Sequence, residues 1–293
     1  MMQKLAPQPN ETIAYSNSTF ACVKHWLYHG QNPGRIASPL AFFIWVFVFS
    51  SPFWLLGALL GKQFLPGIPT SALMVLAPLL AAVLLVYREQ HMTGVIDLLK
   101  RAMDYRRIKD KLWYAPILLL MPSVMLVEFG ILRCMGSPIP APQFTVTTAP
   151  ALFLTFFVTA SMEQVGWMGY AIDPLQARFD ALQAGLLLGL VWAVWHFIPL
   201  WQVGRTWDWI AWWSLATVAQ RVIIVWLYNN TGKSVFATAL YQAMMNLTWQ
   251  LFPVNGSFYD PRITALIVGV IASIVILLWG GQTLADYRSV PSN

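Results

Sequence analysis

Two polar motifs in otherwise apolar stretches carry residue types that hydrolysis of an amide bond requires. Glu163 and Gln164 lie side by side in SMEQVGWMGY, which directly follows the apolar run PALFLTFFVTA, and Trp167 shares the helical face of Glu163. His196 ends the stretch WAVWH, just before a proline-containing turn. A carboxylate can take a proton from water, and an imidazole can orient that water or protonate the leaving amine.

An amide pair forms a third motif. Gln242 and Asn246 in YQAMMNLTWQ are four residues apart, so they project from one face of a helix. Amide N–H groups can stabilise the oxyanion of a tetrahedral intermediate. The three motifs together predict a site for peptide hydrolysis whose catalytic residues are Glu163, His196, Asn246 and Gln242.

The composition places these motifs in a membrane. Of the 293 residues, 58% are hydrophobic and 10% are charged, whereas about a quarter of the residues of a soluble domain are charged. A membrane-spanning helix needs about 20 apolar residues. Eight candidate spans follow: 39–60, 70–87, 113–132, 149–169, 184–201, 209–228, 234–252 and 263–281. The sequence therefore predicts an all-α polytopic membrane bundle of about eight transmembrane helices, with no exposed basic face for nucleic acid.

The distribution of Lys and Arg predicts the orientation, because cytoplasmic loops carry an excess of these residues. With eight spans, one side holds thirteen of them: Lys4, Lys24, Arg35, Arg88, Lys100, Arg101, Arg106, Arg107, Lys109, Lys111, Arg178, Lys233 and Arg288. The other side holds four: Lys62, Arg133, Arg205 and Arg262. Both termini are thus predicted to be cytoplasmic. The domains become a polar tail (1–38), the membrane bundle (39–282) and a C-terminal tail (283–293).

A simple depth calculation does not bring the motifs together. At about 1.5 Å per residue, Glu163 lies roughly 21 Å from the outer end of its span. His196 and Asn246 lie roughly 18 Å from the inner ends of theirs, hence about 12 Å from the outer side of a ~30 Å core. Straight helices with these boundaries therefore leave a mismatch of about 9 Å.

The motifs resemble those of a known protein family. From about 155 to 253, within a core of about 149–253, the chain resembles the CPBP family of membrane-embedded proteases. This family includes the CAAX prenyl endopeptidases and the abortive-infection or bacteriocin-immunity proteins. It carries Glu-Glu-x-x-x-Arg, Phe-x-x-x-His and His-x-x-x-Asn or Asp on successive helices, and this chain has EQVGWMGY, WAVWH and QAMMN. The resemblance implies that Glu163 activates water, that His196 acts beside it, and that Asn246 is the final polar group.

The chain departs from the family pattern at four positions. Gln164 replaces the second Glu, Met168 stands where Arg is usual, Trp192 replaces Phe, and Gln242 replaces the second His. An Arg without a carboxylate partner is an unpaired charge in a dry site, so the first two changes remove a pair together. Gln242 can still donate a hydrogen bond.

Few groups are available to bind a metal. Zinc sites need at least three good ligands, and only Glu163 and His196 would serve. No metal and no other cofactor is therefore expected, and zinc is disfavoured.

The sequence leaves three functions open. The first is an intramembrane endopeptidase, and the second is a protease-like protein without turnover that binds a peptide or partner in immunity or regulation. The third is a small transporter with Glu163 and Arg221 along its path. Polar groups in membrane helices also serve as interhelical contacts, the reading favoured for Gln220 and Gln250. Glu128 and Arg221 are expected to form a structural ion pair or to snorkel.

The endopeptidase hypothesis also predicts the partners of the chain and the membrane in which it lies. Its partners are membrane lipids and a peptide or membrane-protein substrate. The short loops favour a bacterial or archaeal cytoplasmic membrane, and the oligomeric state is not indicated.

Overall fold

A computed structural model describes residues 38–141 and 148–285 of the chain. The predicted N-terminal tail, apart from Ser38, and residues 286–293 of the C-terminal tail lie outside the described residues. The helices are α1 (Pro39–Leu60), α2 (Leu76–Lys100), α3 (Tyr114–Cys134), α4 (Thr148–Gly166), α5 (Ile172–Gln176), α6 (Ala181–Trp195), α7 (Phe197–Gln202), α8 (Trp207–Asn230), α9 (Val235–Leu251) and α10 (Pro261–Trp279).

Short elements connect some of these helices. A two-stranded antiparallel hairpin of β1 (Gln63–Leu65) and β2 (Ile68–Pro69) follows α1. A 3₁₀ turn, Thr70–Val75, leads into α2, and a π-helical turn, Trp167–Ala171, joins α4 to α5. Three further 3₁₀ turns, Arg101–Met103, Tyr105–Arg107 and Lys111–Trp113, connect α2 to α3. The predicted all-α fold class is confirmed, and the chain is an integral, multi-pass membrane protein.

Six helical segments in the described part of the chain are long and apolar enough to cross a membrane: Pro39–Leu60, Thr70–Met103, Lys111–Cys134, Ala181–Gln202, Trp207–Asn230 and Pro261–Trp279. They correspond to six of the eight predicted spans. The other two predicted spans fold as α4 and α9, which carry Glu163 and the amide pair. Helix α4 differs from the six by its polar side chains, and α9, at 17 residues, is also shorter than any of them.

The helix of the second predicted span extends beyond the apolar residues that define the span, 70–87. Helix α2 continues to Lys100, with an interruption at His91 (φ 55°, ψ −156°), so the predicted loop 88–112 begins as helix. Hydropathy marks where a helix leaves the apolar layer, whereas backbone hydrogen bonding continues through polar residues such as Arg88 and Glu89. The boundary of the membrane and the boundary of the helix therefore differ here.

Thr231-Gly232 forms the tight turn between α8 and α9. Gly232 has φ 66°, in the left-handed region that glycine adopts without strain. A Cβ at this position would also lie 2.9 Å from the carbonyl oxygen of Arg107. The turn thus packs directly against the segment that connects α2 to α3.

Basic side chains join the connections at this end of the bundle. Arg101 donates to the carbonyl oxygens of Gly169 (2.8 Å) and Lys233 (2.9 Å) and to the hydroxyl of Tyr228 (2.8 Å). The Asp104 carboxylate accepts from the backbone N–H of Phe236 at the start of α9. The connecting segments that the predicted topology places on one side of the membrane therefore contact one another. That this side is the cytoplasmic one stays a prediction.

The opposite end of the bundle holds the β-hairpin and the loops after α3, α7 and α9. Asp208 and Arg262 form an exposed ion pair there at 2.5 Å. Glu128 is fully buried near this end and accepts from the backbone N–H of Asp260 (2.8 Å) and from the hydroxyl of Thr264. Glu128 thus ties α3 to the start of α10 and does not snorkel.

The helices that carry the three motifs pack closely around one another. Helix α9 packs against α4 and α3, and α8 packs against α6, α9 and α10. Gly189 permits the contact of α6 with α8, because a Cβ there would lie 3.0 Å from the Cα of Val218 and 3.1 Å from the Cβ of Arg221. This approach brings Trp192, one turn beyond Gly189, over Arg221.

Candidate active site

Glu163 lies on α4 with its carboxylate buried in the bundle. Only 4% of the residue is exposed. Its Oε2 accepts a hydrogen bond from Nε1 of Trp192 on α6 at 3.0 Å, and the side chain of Gln242 on α9 lies beside the carboxylate. Polar groups from two other helices therefore surround one carboxylate, which compensates in part for its removal from water.

Gln164, the neighbour of Glu163, faces a different set of polar groups. Its Nε2 donates to Oε1 of Gln242, and its Oε1 accepts from Nη1 of Arg221 at 3.2 Å. The guanidinium of Arg221 lies over the ring of Trp192, 4.3 Å from the ring centroid. Arg221 is completely buried.

These contacts close a ring of five side chains. Going round it, the members are Glu163, Trp192, Arg221, Gln164 and Gln242. Four helices contribute: α4, α6, α8 and α9. A closed network of this kind restrains each member from two sides, so the orientation of the Glu163 carboxylate is determined by several helices at once.

His196 lies where α6 ends and α7 begins. Its Nδ1 is 2.8 Å from the carbonyl oxygen of Trp192. Because a carbonyl can only accept, Nδ1 carries the proton and Nε2 is the acceptor of the neutral ring. The rings of Trp195 and Trp213 pack against the imidazole, with centroids 4.7 and 5.2 Å from it.

A cavity of about 450 Å³ connects the predicted catalytic residues. Glu163, Trp192, His196, Gln242 and Asn246 all line it. The remaining walls are mainly apolar and include Phe64, Leu73, Met125, Phe156, Leu200 and Trp249. The cavity extends from the motifs towards the end of the bundle that holds the β-hairpin.

Arg205 lines the same cavity near the hairpin end. Its guanidinium stacks over the ring of Trp209, 4.5 Å from the ring centroid. Burial lowers the pKa of Arg205 below its usual range, and the neighbouring Tyr259 opposes this change. A cation thus lies on the wall of an otherwise apolar passage.

The two predicted catalytic amides differ in their surroundings. Gln242 is 1% exposed, accepts a hydrogen bond from Gln164 and lies beside Glu163. Asn246 is partly exposed to the cavity, and its amide makes no hydrogen bond to another side chain in the described part of the chain. Asn246 is therefore the amide that remains available to a bound molecule.

Trp167 and Met168, predicted to support the first motif, lie outside the cavity. Both are fully buried in the core. Trp167 packs edge-on against Phe42 of α1 (5.2 Å between centroids) and Trp195 of α6 (5.7 Å). These two residues hold the π-helical turn against its neighbours and do not contact the cavity.

The convergence of the motifs removes the depth mismatch expected from straight spans. The helix that carries Glu163 does not end near 169, because it continues through the π turn and α5 to Gln176. Glu163 therefore lies close to the middle of a longer helical segment, and His196 lies at a break between two helices. Both features shift the depths that uniform spans predict.

Arg221 lies in the polar network around Glu163, a position that the sequence does not predict. The expectation was a structural ion pair or snorkelling, yet the residue is 0% exposed and forms no ion pair within 4 Å in the described part of the chain. The available signal was a charge in a predicted span, which marks a functional site by default. Gln220 behaves as predicted, since it bonds to Tyr241 (2.5 Å) and Met121 (2.9 Å) on other helices.

The donor set of the site does not fit a zinc ion. Glu163 and His196 are the one carboxylate and the one imidazole among the described residues that line the cavity, and the neighbouring Gln242 and Asn246 are neutral amides. Among the described residues, no group of three or more His, Cys, Asp and Glu could hold a metal.

Two comparisons with known proteins match this chain, and the first of them includes Glu163, His196 and Asn246. Residues 145–248 match the model of the type II CAAX prenyl endopeptidase Rce1-like family. A CAAX prenyl protease 2 from Methanococcus maripaludis is 26% identical over 266 residues, which cover 82% of this chain and 93% of that protein. The matched region contains all three motifs, so the resemblance stated from them is confirmed. The two matches support a membrane endopeptidase of the CAAX prenyl protease type.

Proposed function

We propose that this membrane protein of the CAAX prenyl protease type hydrolyses a peptide bond near or within the membrane, using water activated by Glu163 and His196. The observation that carries the proposal is that Glu163 of α4, His196 at the end of α6 and Asn246 of α9 line one cavity. Amide hydrolysis requires a base, a proton carrier and an oxyanion donor within reach of one bond.

The chemistry assigns one role to each group. Glu163 takes a proton from water, whose oxygen attacks the carbonyl carbon of the peptide. The amide of Asn246 donates to the oxyanion that forms, while Nε2 of His196 accepts a hydrogen bond from the water. The proton held by Glu163 then passes to the leaving nitrogen as the C–N bond breaks, which yields a carboxylic acid and an amine.

The apolar walls of the cavity indicate the kind of substrate. A segment with apolar side chains or an attached lipid would replace contacts with lipid by contacts with Phe156, Met125 and Leu200. The related Methanococcus protein is named for prenylated CAAX substrates. A prenylated CAAX peptide and an unmodified apolar peptide are therefore the two probes to compare.

Peptide cleavage in nanodiscs tests the proposal. We expect cleavage of at least one probe by the native chain and its loss in Glu163→Ala and His196→Ala. Glu128→Gln is the matched control, because it removes the charge of a second buried carboxylate, one that does not itself line the cavity. Equal background cleavage in the native chain and Glu163→Ala would reject the enzyme.

A peptide-binding protein without turnover is the second candidate. It is favoured by Gln164 and Gln242, which stand where the resembled family has Glu and His. The double variant Gln164→Glu with Gln242→His distinguishes the two functions. Cleavage by this variant alone, with none by the native chain, would identify a protease that has lost its activity.

A further inference from the structure

Arg221 is the only Lys or Arg in the described part of the chain that is completely buried. It lies in the middle of α8, far from the basic end of the bundle. A cation in such a position is costly unless its surroundings compensate for the loss of water. Its contacts therefore indicate what it does for the site.

Two groups of the site hold the guanidinium. Nη1 donates to Oε1 of Gln164 at 3.2 Å, and the charged plane lies 4.3 Å from the centroid of the Trp192 ring. Nε and Nη2 have no hydrogen-bond partner in the described structure. Arg221 does not line the cavity, so it lies behind the residues that do.

Each of these two contacts leads on to the same carboxylate. Trp192, fixed under the guanidinium, donates its indole N–H to Oε2 of Glu163. Gln164, fixed by Nη1, donates to Gln242, whose side chain lies beside Glu163. Arg221 therefore acts on the orientation of Glu163 from two sides without touching it.

The charge of Arg221 also matches that of the site. Arg221 and Glu163 interact electrostatically across the ring of contacts. A buried cation and a buried carboxylate together carry no net charge, which reduces the cost of placing either in the membrane. Gln164 lies between them and hydrogen-bonds to Arg221 and Gln242. Because its amide is neutral, it does not change the net charge of the site.

We infer that Arg221 is a positioning residue for the hydrolysis, which holds Trp192 and Gln164 so that the Glu163 carboxylate is directed into the cavity. This inference rests on the proposed function. It assigns the motif change at Gln164 a specific purpose: the amide accepts from Arg221 and donates to Gln242, whereas an ionised carboxylate could only accept.

Kinetic measurements on Arg221→Met and Arg221→Lys in nanodiscs test the inference. We expect Arg221→Met to lower kcat about 100-fold with KM changed less than about threefold, because displacing a catalytic group by about 1 Å has an effect of this size. Arg221→Lys retains the charge but lacks the planar fork that stacks and donates together. We expect it to lower kcat about tenfold, which is about 1.4 kcal/mol.

Tyr228→Phe is the matched control on the same helix. Tyr228 is fully buried and bonds to Arg101 and Asp173 at the basic end, away from the cavity. Tyr228→Phe therefore removes buried polar contacts of α8 without altering the site, and the kcat of this variant should equal that of the native chain. If Arg221→Met does not fold, the kcat of Arg221→Lys decides whether Arg221 has the positioning role.

The outcomes separate this inference from the function on which it rests. Cleavage retained in Glu163→Ala contradicts the proposed hydrolysis itself. Cleavage lost in Glu163→Ala but unchanged in Arg221→Lys rejects the positioning role alone. A rise of KM with constant kcat in either Arg221 variant also rejects it, since that result would indicate substrate binding.

Discussion

Trp192 connects Glu163 to His196. Its indole N–H donates to Oε2 of Glu163 at 3.0 Å, and its own carbonyl oxygen lies 2.8 Å from Nδ1 of His196. One residue thus fixes the direction of the carboxylate with its side chain and the tautomer of the imidazole with its backbone. The relative placement of the proposed base and its partner depends on this single turn of α6.

We predict that Trp192→Phe lowers kcat about 10- to 100-fold. The variant removes the indole donor, and a hydrogen bond to a charged group contributes about 1.5–3 kcal/mol. The backbone carbonyl that bonds to His196 is retained, and an aromatic ring remains under Arg221. Single-turnover cleavage in nanodiscs measures the effect. A native rate in this variant would show that the indole N–H does not support Glu163.

The packing of α6 against α8 supplies a second prediction. A Cβ at Gly189 would lie 3.0 Å from the backbone of Val218, so Gly189→Ala must push the two helices apart. Overpacking of this kind costs about 1–3 kcal/mol. We expect a lower melting temperature and slower cleavage, because Trp192 moves away from Arg221.

Gly130→Ala is the control for this prediction. Gly130 lies within α3, and a Cβ there would meet nothing within 4 Å. The substitution should preserve or slightly raise the melting temperature, since alanine favours a helix by about 1 kcal/mol relative to glycine. Equal melting temperatures for Gly189→Ala and the native chain would mean that α6 and α8 are less closely packed than described.

Cleavage should continue when metals are removed. Glu163 and His196 are the two conventional zinc ligands in the site, and Gln242 and Asn246 are weak substitutes. We therefore expect the same kcat before and after treatment with EDTA or 1,10-phenanthroline. Loss of cleavage in chelator followed by recovery on addition of zinc would contradict the metal-free mechanism.

The sequence selects the polar residues that line the cavity, but it does not predict the geometry that brings them together. Glu163, His196, Gln242 and Asn246 were identified because polar residues are rare in membrane helices, so spacing and residue type suffice to select them. Their convergence was not predictable, because it depends on the π turn after α4 and the break at His196. Both are local departures from a uniform helix that apolar periodicity does not report.

The role of Arg221 was missed for a different reason. A one-dimensional pattern marks it as a charge in a span, but its partners Gln164 and Trp192 belong to other helices. The approach of α6 to α8 at Gly189 creates that contact. The guanidinium lies at the site, and not at the membrane surface, because α4, α6 and α8 pack together around it.

The last prediction concerns the side of the membrane on which the cavity lies. The loops near Arg205 and Tyr259, which both line the cavity, fall on the side that holds few Lys and Arg. With cytoplasmic termini, the cavity extends towards the extracytoplasmic side, and a substrate would reach it from there. Cys134, an exposed free cysteine at the end of α3, lies on this same side.

The two cysteines of the chain allow a direct measurement of this orientation. Cys22 lies in the tail that is predicted to be cytoplasmic, and Cys134 lies at the end of the bundle that is predicted to be extracytoplasmic. In spheroplasts treated with a membrane-impermeant maleimide, Cys22→Ser should be labelled, whereas Cys134→Ser should be labelled only after permeabilisation. The double variant Cys22→Ser with Cys134→Ser controls for background. The reverse pattern would place the cavity end in the cytoplasm and require a cytoplasmic substrate.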